Sequence, residues 1–432
     1  MKKKKIFALL IIMTVILTGC KSSKDSIYKV SASKYNNIDI SKTKVDLNYS
    51  YSNKPKVATR TMGNGKLNSL EDAPKWGPDL DLRMADMSSL DLTKDYDRLM
   101  NIVYDTSTKW PDKLPKFFDP KKILELGKNP GLGIRSLQTQ GITGKGVNIA
   151  IIDYPPLLEH KEYGNQFKFY DEINVNDNEA SMHGPFVSSL SVGKTCGVAP
   201  DASLYFIGCY NQSKSQDGKV YIDYIPYAKA IDKILDINKQ LPKDRKIRAL
   251  SISASWCPEN VGYKEITEAV ERAKKAGIFV ISCNMFENYK FWPYSLDKEP
   301  TTDPDNPDSY IIYEWESYLD MVAHITGFVE YFEKTFTESF NSEMLLVPTG
   351  SRTYADRYGD DQYAFDRVGG WSAMEPYLAG LYAMACQVKP DITPDKFWKA
   401  ALKTGELKEV TRDNKKYPAR MLNPVKLIES LK

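Results

Sequence analysis

The sequence predicts an α/β protein with a doubly wound, mainly parallel sheet flanked by helices. One observation is a set of short, continuous apolar runs typical of strands buried on both faces: residues 147–153, 202–209, 248–255, 277–283 and 343–348. The other is apolar residues at helical spacing between these runs: Ala230, Ile231, Ile234 and Leu235, then Ile266, Ala269, Val270 and Ala273, with Gly277 as a helix stop. Strands that alternate with helices favour this architecture.

The last part of the predicted domain is a capped helix. Thr393 precedes Pro394, a pattern typical of a helix that begins with a threonine cap and proline at the first helical position. We expect Phe397, Ala401 and Leu402 of this helix to pack on the core.

The first twenty residues are typical of an export signal. Residues 2–5 are lysines, residues 6–16 are apolar, and Leu17-Thr18-Gly19 places small residues directly before Cys20. This pattern resembles a bacterial lipoprotein signal peptide, which implies cleavage before Cys20 and lipid attachment at Cys20. The alternative is an ordinary secretory signal or an uncleaved anchor, although the apolar stretch is short for a membrane-spanning helix. We expect a protein anchored at the outer face of the cell membrane.

Composition excludes some classes of partner. The net charge of +3 falls to −1 when the four signal lysines are removed, so no basic bias points to nucleic acid. With 42% hydrophobic residues the chain can build a large core, and we expect a monomer. The cysteines other than Cys20 have no metal-site spacing and are interpreted as mostly buried thiols, with one disulfide left open: Cys196, Cys209, Cys257, Cys283 and Cys386.

Three polar residues stand where a predicted strand or helix begins or ends. Asp153 ends the strand VNIAIID, His183 opens the small-residue run HGPFVSSLSVG, and Ser372 follows two glycines in GGWSAMEPYLAGLYAM. Each has an ordinary explanation by itself: a turn aspartate, a buried imidazole and a helix N-cap serine. Sites in open α/β sheets form at the carboxyl ends of strands, which is where Asp153 lies.

Taken together, these segments resemble the motif blocks of subtilisin-like serine peptidases. The similarity covers residues 131–432 and includes GVAPDASLYFI, RALSISAS and AGIFVISC between the histidine and serine blocks. It implies that Ser372 is the nucleophile, His183 the general base and Asp153 the residue that orients the imidazole. It also implies a peptide or protein substrate. A GxSxG hydrolase is disfavoured because its serine comes first in the chain.

The rest of the implied site departs from the family pattern. Trp371 stands where threonine is usual before the serine, and Pro185-Phe186 replace Thr-His after the His-Gly pair. Ser253 and Ser255 fall on the substrate-lining strand, and Trp371 is expected beside the same cleft. The family register puts Phe286 at the oxyanion asparagine. Asn284 is therefore the predicted donor if the loop is shortened, while a donor from Asn288 or no donor at all stays open.

The predicted organisation has four parts. Residues 1–19 are the signal peptide, 20–60 a tether, and 61–130 an N-terminal arm that is a spacer, a folding arm or a divergent propeptide. Residues 131–432 form the peptidase-like domain, with an aromatic-rich insertion at about 286–342 that contains His324 and is interpreted as a helix pair rather than a cap on the cleft. His160 is interpreted as structural.

Two function classes remain open from the sequence. The first is a lipid-anchored serine endopeptidase, and the second is a pseudopeptidase that binds peptides or a protein partner with a vestigial triad. No cofactor is expected. Calcium is common among the relatives, but the acidic run at Asp303, Asp305 and Asp308 is interrupted by prolines, so we predict no metal site there.

Overall fold

The computed structural model describes residues 54–60, 64–215, 218–312, 338–340, 342–412 and 414–432. The signal peptide, Cys20, most of the tether, His324 and the central part of the predicted insertion lie outside these ranges.

The described strands and helices alternate through most of the chain. The strands are β1 Gly65–Lys66, β2 Lys75–Trp76, β3 Asp79–Asp81, β4 Ala85–Asp86, β5 Ile102–Asp105, β6 Asn148–Asp153, β7 Phe167–Ile173, β8 Ser203–Cys209, β9 Gln212–Lys214, β10 Val220–Ile222, β11 Ile247–Ile252, β12 Phe279–Ser282, β13 Trp292–Lys298, β14 Tyr310–Ile312, β15 Met344–Pro348, β16 Arg352–Ala355, β17 Tyr363–Asp366, β18 Glu406–Arg412 and β19 Lys415–Met421. The helices are α1 Tyr96–Leu99, α2 Pro120–Lys128, α3 Ile134–Thr139, α4 His183–Val192, α5 Ile225–Gln240, α6 Tyr263–Lys275, α7 Met285–Tyr289, α8 Met374–Val388, α9 Pro394–Thr404 and α10 Pro424–Leu431.

A parallel sheet forms the centre of the domain. Its strand order is β12-β11-β6-β8-β7, and every neighbouring pair is parallel. Successive residues of β6 face opposite sides: Ile149 and Ile151 belong to the core under α4 and α8, whereas Ala150 and Ile152 belong to the core under α5 and α6. Such strands are buried on both faces, which is why they are continuously apolar in sequence. The predicted doubly wound α/β class is confirmed.

The predicted helical stripes lie on these cores. The apolar stripe of α5 and that of α6 are buried on the same side of the sheet, and Gly277 adopts a positive φ of 81° just after α6. At the start of α9 the Thr393 hydroxyl accepts a hydrogen bond from the Lys396 amide at 3.4 Å. Phe397 and Ala401 of α9 are buried as expected.

A second sheet corrects the placement of the last predicted strand. Residues 344–348 do form a strand, β15, but it pairs with β13 and β19 in the order β14-β13-β15-β19-β18 rather than joining the central sheet. The described flanks of the insertion also differ from the predicted helix pair, because residues 292–298 and 310–312 are the strands β13 and β14. Aromatic and β-branched residues pack well on a pleated surface, which explains this outcome.

A third sheet joins the N-terminal arm to the C-terminal half of the chain. Its order is β16-β17-β5-β3-β2, with β5 antiparallel to β17. Tyr104 of β5 packs against Phe365 of β17 with ring centroids 5.3 Å apart, and both side chains are fully buried. Helix α2 is also tied to this sheet, because Thr353 donates a hydrogen bond to the Leu124 carbonyl at 2.8 Å.

The end of the predicted tether lies against the domain. The Lys56 amide donates to the Asn178 carbonyl at 2.7 Å, and the Thr59 hydroxyl donates to Glu179 at 2.6 Å. Residues 54–60 therefore run beside the segment that leads to His183. Within the described ranges, no helix combines the length and apolar character needed to cross a bilayer.

Candidate active site

Asp153 and His183 meet at the carboxyl end of the central sheet. Asp153 is the last residue of β6 and His183 the first residue of α4, and His183 Nδ1 lies 2.7 Å from Asp153 Oδ1. The same carboxylate oxygen accepts the Tyr154 amide at 2.7 Å. The two side chains are 3% and 9% exposed, so the carboxylate and the ring are held in one orientation away from bulk water.

The His-Gly pair is explained by how closely α4 approaches the loop after β6. A Cβ on Gly184 would lie 2.2 Å from the Tyr154 carbonyl oxygen, so no larger residue fits at this position. Pro185 follows in the first turn, where a missing N–H leaves no helical hydrogen bond unmade. Phe186 packs beside His183 with ring centroids 5.6 Å apart, and it gives the imidazole an apolar wall.

A glycine turn and a one-turn helix hold Ser372. Gly370 has a positive φ of 59°, and a Cβ on Gly369 would lie 1.7 Å from the Thr349 carbonyl oxygen. The 3-10 helix Trp371–Ala373 runs directly into α8 and contacts α4, the helix that begins with His183. Ser372 is partly exposed, and among the described residues its hydroxyl has no hydrogen-bond partner. Catalytic hydrogen bonds are often long in unliganded sites, so this observation does not by itself remove Ser372 from the candidate site.

The predicted substrate-lining strand contacts the serine turn. Ser253, just after β11, donates a hydrogen bond from its hydroxyl to the Ser372 carbonyl at 3.1 Å. Ser255 is buried two residues further on, and its carbonyl accepts from the Tyr224 hydroxyl. Ser253 therefore contacts the backbone of the candidate nucleophile, whereas Ser255 is hydrogen-bonded to Tyr224.

Asn284 is not arranged as the sequence analysis expected. Its side-chain oxygen accepts the Trp256 amide at 2.9 Å, its side-chain nitrogen donates to the Trp256 carbonyl at 3.0 Å, and the residue is only 2% exposed. The amide thus joins the segment after β11 to the segment after β12. The Asn288 backbone carbonyl accepts from Lys274 at the end of α6, while its side-chain Nδ2 is buried without a hydrogen-bond partner among the described residues. The physical reason is that a buried backbone amide and carbonyl at Trp256 need partners.

Trp371 lies between two hydrophobic cores and beside a small pocket. Its partly buried ring packs against both the core under α4 and α8 and the core of the second sheet. The pocket lies between the serine turn, the segment after β12 and the start of β13, and is lined by Ser282, Cys283, Met285, Phe286, Glu287, Trp292, Pro293, Trp371, Met374 and Glu375. The tryptophan therefore forms part of the wall of this pocket.

The sequence analysis missed Glu375, a buried acid on the serine helix. It is 1% exposed, burial raises the pKa of its carboxyl to about 8, and the Cys283 thiol donates to its Oε1 at 3.3 Å. Its other oxygen, Oε2, has no hydrogen-bond partner among the described residues. An acid in the first turn of a helix is common and usually exposed, so its position alone does not predict burial. The one feature of the sequence that indicates burial of Glu375 is its position within an otherwise apolar run.

A buried ion pair anchors the segment that leads to Ser372. The Arg367 guanidinium contacts the Asp297 carboxylate of β13, and each side chain is 7% exposed. Burial raises the pKa of Asp297 while the adjacent guanidinium lowers it. The Arg367 carbonyl also accepts the Ser351 amide at 2.9 Å, so this residue joins the second sheet to the serine turn.

Arg367→Met is expected to lower the free energy of unfolding by about 3 to 5 kcal/mol, because it leaves the Asp297 carboxylate buried without its cation. Urea unfolding at pH 7 measures the loss. The double variant Arg367→Met with Asp297→Asn removes the stranded charge and should recover most of it. If the single and double variants lose the same free energy of unfolding, Arg367 stabilises the protein by some means other than its ion pair with Asp297.

The other residues singled out in the sequence make contacts within the fold. His160 is fully buried, its Nε2 lies 2.9 Å from the Gln362 carbonyl, and its Nδ1 accepts the Glu162 amide at 3.1 Å, which fits the structural interpretation. Asp305 accepts from Asn129 and from the Gly133 amide, both at 2.8 Å. In the described part of the chain, no three His, Cys, Asp or Glu side chains come together as metal ligands, and the described cysteines are free thiols.

Comparison with known proteins adds a serine protease relative. The serine protease AprX of Bacillus subtilis (strain 168) is 27% identical over 312 residues, which are 66% of this chain and 66% of AprX. Among solved structures, the prenylagaramide maturation protease PagA has a TM-score of 0.47 at 14% identity and covers 69% of this chain and 98% of its own. The PatG macrocyclase domain has a TM-score of 0.43 at 12% identity and covers 69% and 94%. No protein-family profile matches the chain.

The observed fold and the AprX similarity are consistent with each other. The chain has a doubly wound α/β fold and is similar over 66% of its length to a serine protease. Asp153 lies at the end of β6, His183 at the start of α4, and Ser372 in the 3-10 helix that leads into α8.

Proposed function

We propose that this protein is a serine endopeptidase that cleaves peptide bonds through Asp153, His183 and Ser372. The observation that carries the proposal is the 2.7 Å contact between Asp153 and His183 at the carboxyl end of a parallel sheet, beside the helix start that presents Ser372. A serine hydroxyl is a weak nucleophile at neutral pH and needs a base held in the correct tautomer.

The chemistry follows from the positions of the three groups. Asp153 accepts the Nδ1 proton of His183, which leaves Nε2 free to take the Ser372 proton as Oγ attacks the substrate carbonyl. The imidazolium that forms is stabilised by the buried carboxylate, and it then protonates the leaving amine. The Ser372 backbone N–H, at the start of a helix, is one donor to the oxyanion. Water hydrolyses the acyl-enzyme by the same proton path.

The proposal includes export and a lipid anchor at Cys20. It is supported by the signal pattern in residues 1–20. Residues between Cys20 and the docked segment 54–60 would carry the domain at the outer face of the membrane, where it meets peptide or protein substrates as a monomer.

Asp153→Asn is expected to lower kcat for a quenched peptide pool by about 10⁴-fold, because the amide favours the wrong imidazole tautomer and cannot stabilise the imidazolium. The fold should persist, since the new side chain keeps an oxygen for the Tyr154 amide. Asp201→Asn, at an exposed aspartate, is the matched control and should cleave at the wild-type rate. An Asp153→Asn protein as fast as that control would remove the carboxylate from the mechanism.

A binding function without catalysis is the second candidate. Two observations favour it: Asn284 is held by the Trp256 backbone, and the Ser372 hydroxyl has no partner among the described residues. A folded wild-type protein that binds peptides, with an affinity unchanged in Ser372→Ala, and hydrolyses none of them would support this candidate over the endopeptidase.

A further inference from the structure

Glu375 lies one helical turn after the candidate nucleophile. The 3-10 helix Trp371–Ala373 continues into α8, with helical backbone angles at Ala373 and Met374. Residues three apart on such a helix share a face, with Cβ atoms about 5 to 6 Å from each other. Ser372 and Glu375 are therefore neighbours on the helix start that also provides the free backbone N–H groups.

The two carboxyl oxygens of Glu375 have different surroundings. Oε1 accepts a hydrogen bond from the Cys283 thiol at 3.3 Å, whereas Oε2 is buried without a partner among the described residues. Glu375 lines the pocket beside Trp371, between the serine turn and the segment after β12. A buried polar oxygen without a partner is costly, and a substrate atom that entered this pocket would supply the missing partner.

The environment keeps the acid neutral at pH 7. Burial raises the pKa of Glu375 to about 8, the backbone and the Cys283 thiol lower it, and the Asp153 charge raises it further. Burial also raises the pKa of the Cys283 thiol, and Glu287 is the other acid that lines the pocket. None of the causes that set the pKa of Glu375 is a cation. At neutral pH its carboxyl therefore carries an O–H, and the oxygen that accepts from Cys283 leaves Oε2 as the proton-bearing donor.

The proposed reaction needs such a donor. Attack of Ser372 places negative charge on the carbonyl oxygen, and one backbone N–H is normally joined by a second donor. Asn284, the expected second donor, has its side-chain oxygen and one of its two amide N–H groups engaged with the Trp256 backbone, which holds the buried amide in that orientation. A carboxylic acid that an apolar site keeps protonated at pH 7 can donate a hydrogen bond to a developing oxyanion.

On the basis of the proposed function, we propose that the protonated carboxyl of Glu375 donates the second hydrogen bond to the oxyanion formed at Ser372. The Oγ–C bond forms, the carbonyl π pair moves onto oxygen, and the Ser372 proton passes to His183. Glu375 keeps its proton and shares it with the oxyanion until the tetrahedral intermediate collapses. The carboxyl is thus a catalytic group although it is not part of the triad.

This assignment sets the direction of the pH dependence. The protonated fraction of Glu375 falls as the pH rises through about 8 in the free enzyme. Above that pH the carboxylate has no proton to donate and repels the oxyanion. We therefore expect kcat/KM to fall on the alkaline side.

Two substitutions at Glu375 separate donation from packing. Glu375→Gln keeps a donor at every pH, so it should retain most of the activity and lose the alkaline fall in kcat/KM. Glu375→Met keeps a similar length without a donor and should lower kcat by about 100 to 1000-fold. The measurement is kcat and kcat/KM for quenched peptides from pH 6 to 10, with thermal unfolding to show that each variant is folded. Asp201→Asn, at an exposed aspartate outside the pocket, should resemble the wild type.

The outcomes distinguish this inference from the proposed function. A folded Glu375→Met variant with the activity and pH profile of the wild type would overturn the inference and leave the endopeptidase intact. The same holds if Glu375→Gln keeps the alkaline fall, which decides the matter even if the Met variant does not fold. A folded wild-type protein that neither cleaves peptides nor reacts with a fluorophosphonate would overturn both.

Discussion

Replacing Ser372 by alanine is expected to lower kcat for peptide hydrolysis by about 10⁶-fold, to the slow rate that binding and oxyanion donors alone provide. The loss follows because no acyl-enzyme can form without Oγ, while the rest of the site is preserved. Stability should change little, since the hydroxyl has no hydrogen-bond partner among the described residues. Hydrolysis of quenched peptides, followed beside urea unfolding, measures both quantities.

Ser253→Ala is the matched comparison for this variant. It removes the hydrogen bond from the Ser253 hydroxyl to the Ser372 carbonyl and leaves the nucleophile in place. One such hydrogen bond contributes about 0.5 to 1.5 kcal/mol net, so we expect kcat to fall by up to about tenfold. Similar losses in the two variants would mean that Ser372 acts through the turn geometry and not as the attacking group.

Removing residues 21–130 is expected to leave residues 131–432 unable to fold cooperatively. The deletion takes away β2, β3, β5 and α2, so Phe365 on β17 loses Tyr104 and the Trp76 indole no longer donates to Asp366. Exposing one large aromatic side chain costs about 1.5 to 3 kcal/mol. When the other contacts of this sheet are included, the lost stabilisation approaches 5 to 15 kcal/mol, which is the whole free energy of unfolding of a typical domain.

The arm is therefore expected to stay in the mature protein. Circular dichroism and urea unfolding of residues 131–432 test the expectation, with a deletion of residues 21–53 as the control that keeps the docked segment and the third sheet. The control should unfold with the wild-type midpoint. A shortened chain that folds and cleaves peptides by itself would instead support a removable propeptide.

The sequence predicts the central sheet well because its physical signals are local. Strands such as 147–153 and 202–209 are buried on both faces, so their apolar character is continuous and visible without knowledge of their neighbours. The order of Asp153, His183 and Ser372 was likewise readable, since each stands at the end of a strand or the start of a helix. The Asp153–His183 contact then follows from the parallel arrangement of the strands.

The features that the sequence did not reveal depend on distant contacts. Pairing of β5 with β17 joins residues more than 250 positions apart, and no local pattern indicates it. Asn284 was expected at the oxyanion because the sequence does not show that the buried backbone of Trp256 needs hydrogen-bond partners. Glu375 was overlooked for the same reason: its burial depends on how the segment after β12 packs over the serine helix.

The most direct test of the account is covalent labelling of residues 21–432 with a fluorophosphonate, followed by mass mapping of the modified residue. The account predicts a stable adduct on Ser372, absent from Ser372→Ala and strongly reduced in His183→Ala, because only an activated hydroxyl displaces fluoride. No adduct on Ser372 in a protein shown to be folded would contradict the claim that this serine is an activated nucleophile.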